Sequence, residues 1–169
     1  MHSSIFEIRT ENFSHDDWAG ESTISDEDYR VEGADYFGEL EDADERVEEI
    51  LNFFLRSFPG KSFKIVKNEP EKTAVVEFIG DIDALHEKWY ECVKAAFGGL
   101  DKKMGTMDVF CVRLACKEPF GLSTKFYLPE WYPVTESAET FMEWLRYLSK
   151  QNDGKHFKLY IGQVFDYHF

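Results

Sequence analysis

Carboxylates are the side chains whose number and spacing promise chemistry in this chain. From Asp26 to Glu45 the sequence DEDYRVEGADYFGELEDADE holds ten of them and a single base, Arg30. Such density suits metal coordination, attraction of a cationic surface, or plain solvation. A calcium loop needs oxygens at alternate positions, a central glycine and a closing glutamate. Asp26 and Asp28 begin that pattern and Arg30 breaks it; Asp42 and Asp44 do not complete it. No metal is expected. A disordered acidic tail is poor in aromatics, whereas Trp18, Ile24, Tyr29, Val31, Tyr36, Phe37 and Leu40 recur here. Each can bury apolar area worth roughly 1.5–3 kcal/mol, enough to hold the segment against a folded body. The expectation is an ordered acidic surface that turns Asp26, Asp28, Glu32, Asp35, Glu39, Glu41, Asp42 and Asp44 toward a partner.

Three histidine clusters stand beside acids. His86 has Asp83, Glu87 and Glu91 near it on one helical stretch, His168 lies two residues from Asp166, and His15 precedes Asp16 and Asp17. A histidine with a carboxylate one turn away can bind a metal or move a proton. A di-metal helix pair would repeat Glu-x-x-His on two helices, and that repeat is missing. Asp16 or Asp17 reads more simply as a cap or turn residue. Cys92, Cys111 and Cys116 are odd in number and form no C-x-x-C pair, so neither a disulfide framework nor a zinc knuckle is suggested. They are expected to be reduced and packed inside. The loop from Gly98 to Gly105 lacks the G-x-x-x-x-G-K-[ST] spacing that cradles a phosphate. No cofactor is expected.

Between Phe126 and Pro133 the run FYLPEWYP places aromatic side chains close to two prolines. They cannot all point inward from one loop. Tyr127, Trp131 and Tyr132 are therefore expected at an interface, since exposed aromatics often anchor one. The alternative is a loop that covers an open sheet edge.

Charge is distributed very unevenly. Residues 1–50 carry seventeen acids against Arg9, Arg30 and Arg46, whereas residues 51–169 carry sixteen of each sign. The whole formal charge of −14 therefore lies in the first 50 positions. That asymmetry argues against direct binding to nucleic acid or anionic lipid, which need a basic footprint. It favours a basic partner, or solubility alone. The start MHSSIFEIRTENF lacks the basic end and apolar core of a signal peptide, and no run is long enough to cross a bilayer. A cytoplasmic location is the default expectation.

The elements that position these residues follow from period. Val47, Ile50, Leu51, Phe54, Leu55 and Phe58 repeat as one helix face over 42–58, with Asp42 as cap, Glu45 as its capping-box partner and Pro59-Gly60 as stop. Leu85, Trp89, Cys92, Val93, Ala96 and Phe97 make a second face over 83–97, and Phe141, Leu145 and Leu148 a third over 136–150. Strands are expected at 6–13, 63–67, 73–79, 109–116, 124–128 and 157–169. The pattern predicts an α+β fold: an antiparallel or mixed sheet with about three helices packed on one face, built as successive helix-strand-strand units. One domain spans 1–169, with an acidic, aromatic-anchored segment at 1–41 and an α+β core at 42–169.

The function expected is a non-enzymatic acidic binding protein. In its most concrete form it is an inhibitor, immunity-type or DNA-mimic protein that neutralises a basic partner such as a nuclease. A small-ligand or enzymatic domain using His86 or His168 is the alternative from another class. Acidity that serves only solubility is the third.

Overall fold

The sequence FKLYIGQVFDYH is rich in aromatic and β-branched residues, and it forms the strand around which the sheet is assembled, β7 (Phe157–His168). The structure, a computed structural model, describes residues 2–24, 36–98 and 105–168, with the backbone alone for residues 2 and 132–136. One edge of β7 pairs antiparallel with β1 (His2–Arg9). Its other edge takes β4 (Ala74–Phe78) along its first half and β2 (Tyr36–Glu39) along its second. β3 (Phe63–Lys67) adds antiparallel to β4, as the turn at Asn68-Glu69-Pro70 requires. Beyond β1 lie β5 (Lys125–Leu128), which is parallel to it, and β6 (Tyr132–Glu136). The sheet is mixed, of order β3-β4-β7-β1-β5-β6 with β2 beside β7, and the class is α+β.

Alternation along the strands feeds two apolar clusters. Phe6, Phe126 and Val164 point to one face; their chain neighbours Ile5, Tyr127 and Phe165 point to the other. The larger cluster is covered by α2 (Ala43–Leu51), by α5 (Ala138–Gln151) and by the first turn of α3 (Ile82–Gly98). Its centre is aromatic: Phe126 and Phe141 stack with ring centroids 4.1 Å apart. A wide π-helical turn, Asn52–Ser57, continues α2, and Phe58 N–H closes it on Phe53 O at 2.8 Å. Phe53 and Phe54 are thereby both buried, while Leu55, expected inward, is half exposed. The smaller cluster is closed by Ala19, by Phe37 and by Ile24 of the short helix α1 (Glu21–Ile24).

The expected strand at 109–116 is instead a helix, α4 (Thr106–Lys117). Val109 to Cys116 is a short apolar run that carries no period able to separate strand from buried helix. The helix start is supported by the Asp108 carboxylate, which reaches back and accepts the Gly105 N–H at 2.9 Å. In the second helix-strand-strand unit α4 thus takes the place of the expected first strand, and the strand pair is β5 with β6, which the sequence did not announce. The packing expected of the cysteines fails: Cys92 and Cys111 are exposed and Cys116 is half-buried. On α3 only Ile82 and Leu85 are buried, and Phe97 is 54% exposed. Among the described residues, no helix is long and apolar enough to cross a membrane.

Candidate acidic interface

α2 begins where the Asp42 carboxylate accepts the N–H groups of Asp44 and Glu45, at 2.8 and 3.1 Å. This satisfies two donors that every helix start leaves open. The helix then presents two sides. Ile50 faces the core, and Arg46, one turn earlier, is buried beside it. Asp44, Glu45 and Glu48 face solvent, with Glu41 just ahead of them. Glu49 is half-buried and accepts from Ser4 Oγ at 2.9 Å. Asp44 with Glu48, and Glu45 with Glu49, are like-charged pairs one turn apart, each costing about 0.2–0.5 kcal/mol. None of Glu41, Asp44, Glu45 and Glu48 forms an ion pair with a described residue.

Arg46 is the one base of this helix, and its charge is spent inward. It is 2% exposed, and its guanidinium donates to Gly162 O from Nε at 2.9 Å and Nη2 at 2.7 Å. A further bond joins Nη2 to Ile161 O at 2.9 Å, and the Trp18 ring lies 4.4 Å from the guanidinium carbon. Burial lowers the Arg46 pKa to about 10, an effect the Glu7 carboxylate opposes, so the group is charged at neutral pH.

These contacts repair a β-bulge. Phe6 pairs with Val164 and Ile8 with Ile161, so Glu7 stands opposite both Gly162 and Gln163. The fully buried Glu7 carboxylate accepts Gln163 N–H at 3.1 Å and Ala19 N–H at 2.9 Å. Its other oxygen takes Arg9 Nε at 3.1 Å and Nη2 at 2.7 Å. Glu7 thus serves the amide side of the bulge and Arg46 the carbonyl side. Their roles were missed in the sequence. The signal for Arg46 was its place four residues before Ile50 on the core face; Glu7 gave none.

Two depressions flank Leu40. One, of about 430 Å³, is lined by Ser4, Glu45, Glu48, Glu49 and Asp166. The other, of about 260 Å³, is lined by Trp18, Glu39, Glu41, Glu71 and Gln163, with Arg46 among its walls. Both are open to solvent, and carboxylates dominate the charged groups of both.

The expected site residues fall into four groups. Asp26, Asp28, Glu32 and Asp35 lie outside the described residues. Glu41 and Asp44 are exposed on the face just described. Glu39 and Asp42 are exposed too but hold structure: Glu39 accepts Glu21 N–H at 2.7 Å and Gln163 Nε2 at 3.2 Å, and Asp42 is the cap. Of the aromatic loop, Tyr127 is buried in the smaller cluster and cannot serve as an exposed anchor, because strand alternation turns it inward. Trp131 is 40% exposed and packs on Tyr147 with centroids 4.7 Å apart. The Tyr132 side chain lies outside the described residues.

The histidines are dispersed. His86 stands 3.6 Å from Glu143 of α5 beside a cavity of about 10 Å³, no more than one water needs. His168 is 3.6 Å from Asp166, and His15 packs on Trp18 at 4.3 Å. Among the described residues, no three His, Cys, Asp or Glu side chains are grouped to hold a metal ion. Compared with protein-family models, curated proteins and solved structures, the chain matches none.

Proposed function

We propose that the protein is a non-enzymatic acidic binding protein whose 39–49 segment receives a basic partner, as an inhibitor or immunity-type protein receives a nuclease. The observation that carries this reading is the inward turn of Arg46. With the one base of α2 bound to backbone carbonyls of β7, the outward side of α2 presents carboxylates alone. Unpaired like charges cost folding stability, and a cationic partner offsets that cost. The two depressions beside Leu40 are places where lysine or arginine side chains of such a partner could enter between Glu45, Glu48 and Glu49, or between Glu39 and Glu41. The same charge would steer association and reject acidic competitors. DNA mimicry is one form of this reading, since a row of carboxylates presents the charge that a phosphate backbone presents.

The experiment is affinity capture from the native host at low and moderate salt. One bait is the wild type and the other carries Glu41, Asp44, Glu45 and Glu48 all changed to Lys. Recovery of a basic, nucleic-acid-binding protein by the wild type alone supports the reading. Recovery of no basic protein by the wild type at low salt removes it.

A further inference from the structure

α3 and α4 form an antiparallel hairpin whose base is attached and whose described outer stretches are exposed. Near the base, Trp89 Nε1 donates to Ala115 O at 3.2 Å. Ile82, Leu85 and Val112 are the buried side chains of the two helices, and all lie toward that base. The outer stretches, 90–98 and 105–111, bury no side chain at all. Yet they carry Tyr90, Phe97, Met107, Val109 and Phe110, each exposed by about half or more. Tyr90 and Phe97 are two turns apart on one side of α3, and Met107 and Phe110 one turn apart on α4. Helices this short owe their stability to packing of an apolar face, and a patch of this kind on a free surface marks an interaction site.

We infer that this hairpin is the surface through which two copies of the chain associate. Charge selects the occupant. The chain as a whole carries −14, so two copies repel in almost any approach. Residues 82–117 hold five acids and six bases, so hairpin against hairpin brings almost no net charge together. A strongly charged partner of either sign gains nothing there. Area agrees: five half-exposed large side chains offer several hundred Å² per copy, and the flanking helix surface extends it toward the ~800 Å² per partner of a standard interface. A two-fold contact of this kind is self-complementary and closes at two copies. It packs two helices on two, the geometry of a four-helix bundle.

Sedimentation velocity from micromolar to sub-millimolar concentration tests this, using the wild type, Phe110→Glu and Phe97→Glu. Both positions are exposed, so the fold should tolerate the changes, and unaltered far-UV circular dichroism verifies it. The wild type should pass from monomer to dimer, and each variant should dimerise at least about tenfold more weakly, about 1.4 kcal/mol. Salt should tighten the dimer by screening the two −14 charges, whereas it should weaken any contact at the acidic face. A wild type that stays monomeric throughout overturns the inference, as does a dimer that both variants leave intact. A monomer that floats with neutral phosphatidylcholine vesicles overturns it too and assigns the patch to lipid.

Discussion

The carbonyl oxygen of Gly162 accepts two hydrogen bonds from one side chain, Arg46 Nε at 2.9 Å and Nη2 at 2.7 Å. This single grip fastens the acidic helix to the central strand and fixes which side of it meets water. Arg46→Ala would strand the carbonyls of Gly162 and Ile161 and leave Glu7 with less compensating charge. Losing one member of a buried ionic network costs about 3–5 kcal/mol, read as a lower urea midpoint. Arg46→Lys should recover only part, since an ammonium lacks the planar fork. A loss for Arg46→Ala below about 1 kcal/mol, the value of an ordinary hydrogen bond, would contradict this account.

Gly162 itself is required by space. A Cβ there would overlap the Glu7 carboxylate and sit 2.7 Å from the nearest Phe13 ring atom. Glu7 cannot yield without giving up its bonds to Ala19 and Gln163. Gly162→Ala should therefore destabilise by about 1–3 kcal/mol, as overpacking does. A thermal midpoint equal to that of the wild type would show that the bulge is loose.

The sequence exposes some of this and hides the rest for identifiable reasons. Ile50, Phe54 and Phe58 keep a helical period and Asp42 precedes them, so α2 is legible with its cap. β7 is legible from its aromatic and β-branched residues, Phe157, Tyr160, Ile161, Val164, Phe165 and Tyr167 among them. Val109 to Cys116 is not, because a short apolar run broken only by Arg113 fits a strand as well as a helix. Glu7 is hidden for a different reason. Its burial depends on Ala19 crossing over it and on a bulge 155 residues later at Gly162, and neither is a local property. On the acidic side, charge counting finds the carboxylate-rich segment but cannot separate Asp42 and Glu39, which hold structure, from Glu41 and Asp44, which do not.

The first 41 residues are not a removable appendage, because β1 lies inside the sheet between β7 and β5. A chain starting at residue 42 would expose both of those strand edges and lose Phe6 and Ile8 from the core. It should fail to fold, with no cooperative thermal transition by circular dichroism. A cooperative transition near that of the full chain would show that β1 contributes little.

Alkaline pH should weaken the fold through Tyr167. Its hydroxyl donates to Ser123 O at 2.9 Å, and burial raises its pKa above the usual 10; nearby Glu118 adds to the rise and a Ser3 hydrogen bond opposes it. The folded state thus retains a proton that the unfolded chain releases. Its stabilisation is complete below about pH 10 and is lost as pH climbs through the raised value. Arg46, which burial lowers to about 10, acts with the opposite sign over that interval. The difference between wild type and Tyr167→Phe isolates the tyrosine: it should be constant at neutral pH and shrink on the alkaline side. A constant difference across the whole range would contradict the assignment.

The most direct measurement of the central claim is the association rate with the captured basic protein as a function of ionic strength. Two forms are compared, the wild type and the chain with Glu41, Asp44, Glu45 and Glu48 all changed to Lys. For the wild type the rate should fall steeply as the Debye length shortens from roughly 30 Å at 0.01 M to 10 Å at 0.1 M. The reversed chain should associate at least about tenfold more slowly at the lowest salt and respond little to more of it. Its folding stability should stay equal or rise slightly, since the like-charge pairs on α2 are relieved. Equal association rates for the two forms, or a wild-type rate indifferent to salt, would contradict the acidic face as the binding surface.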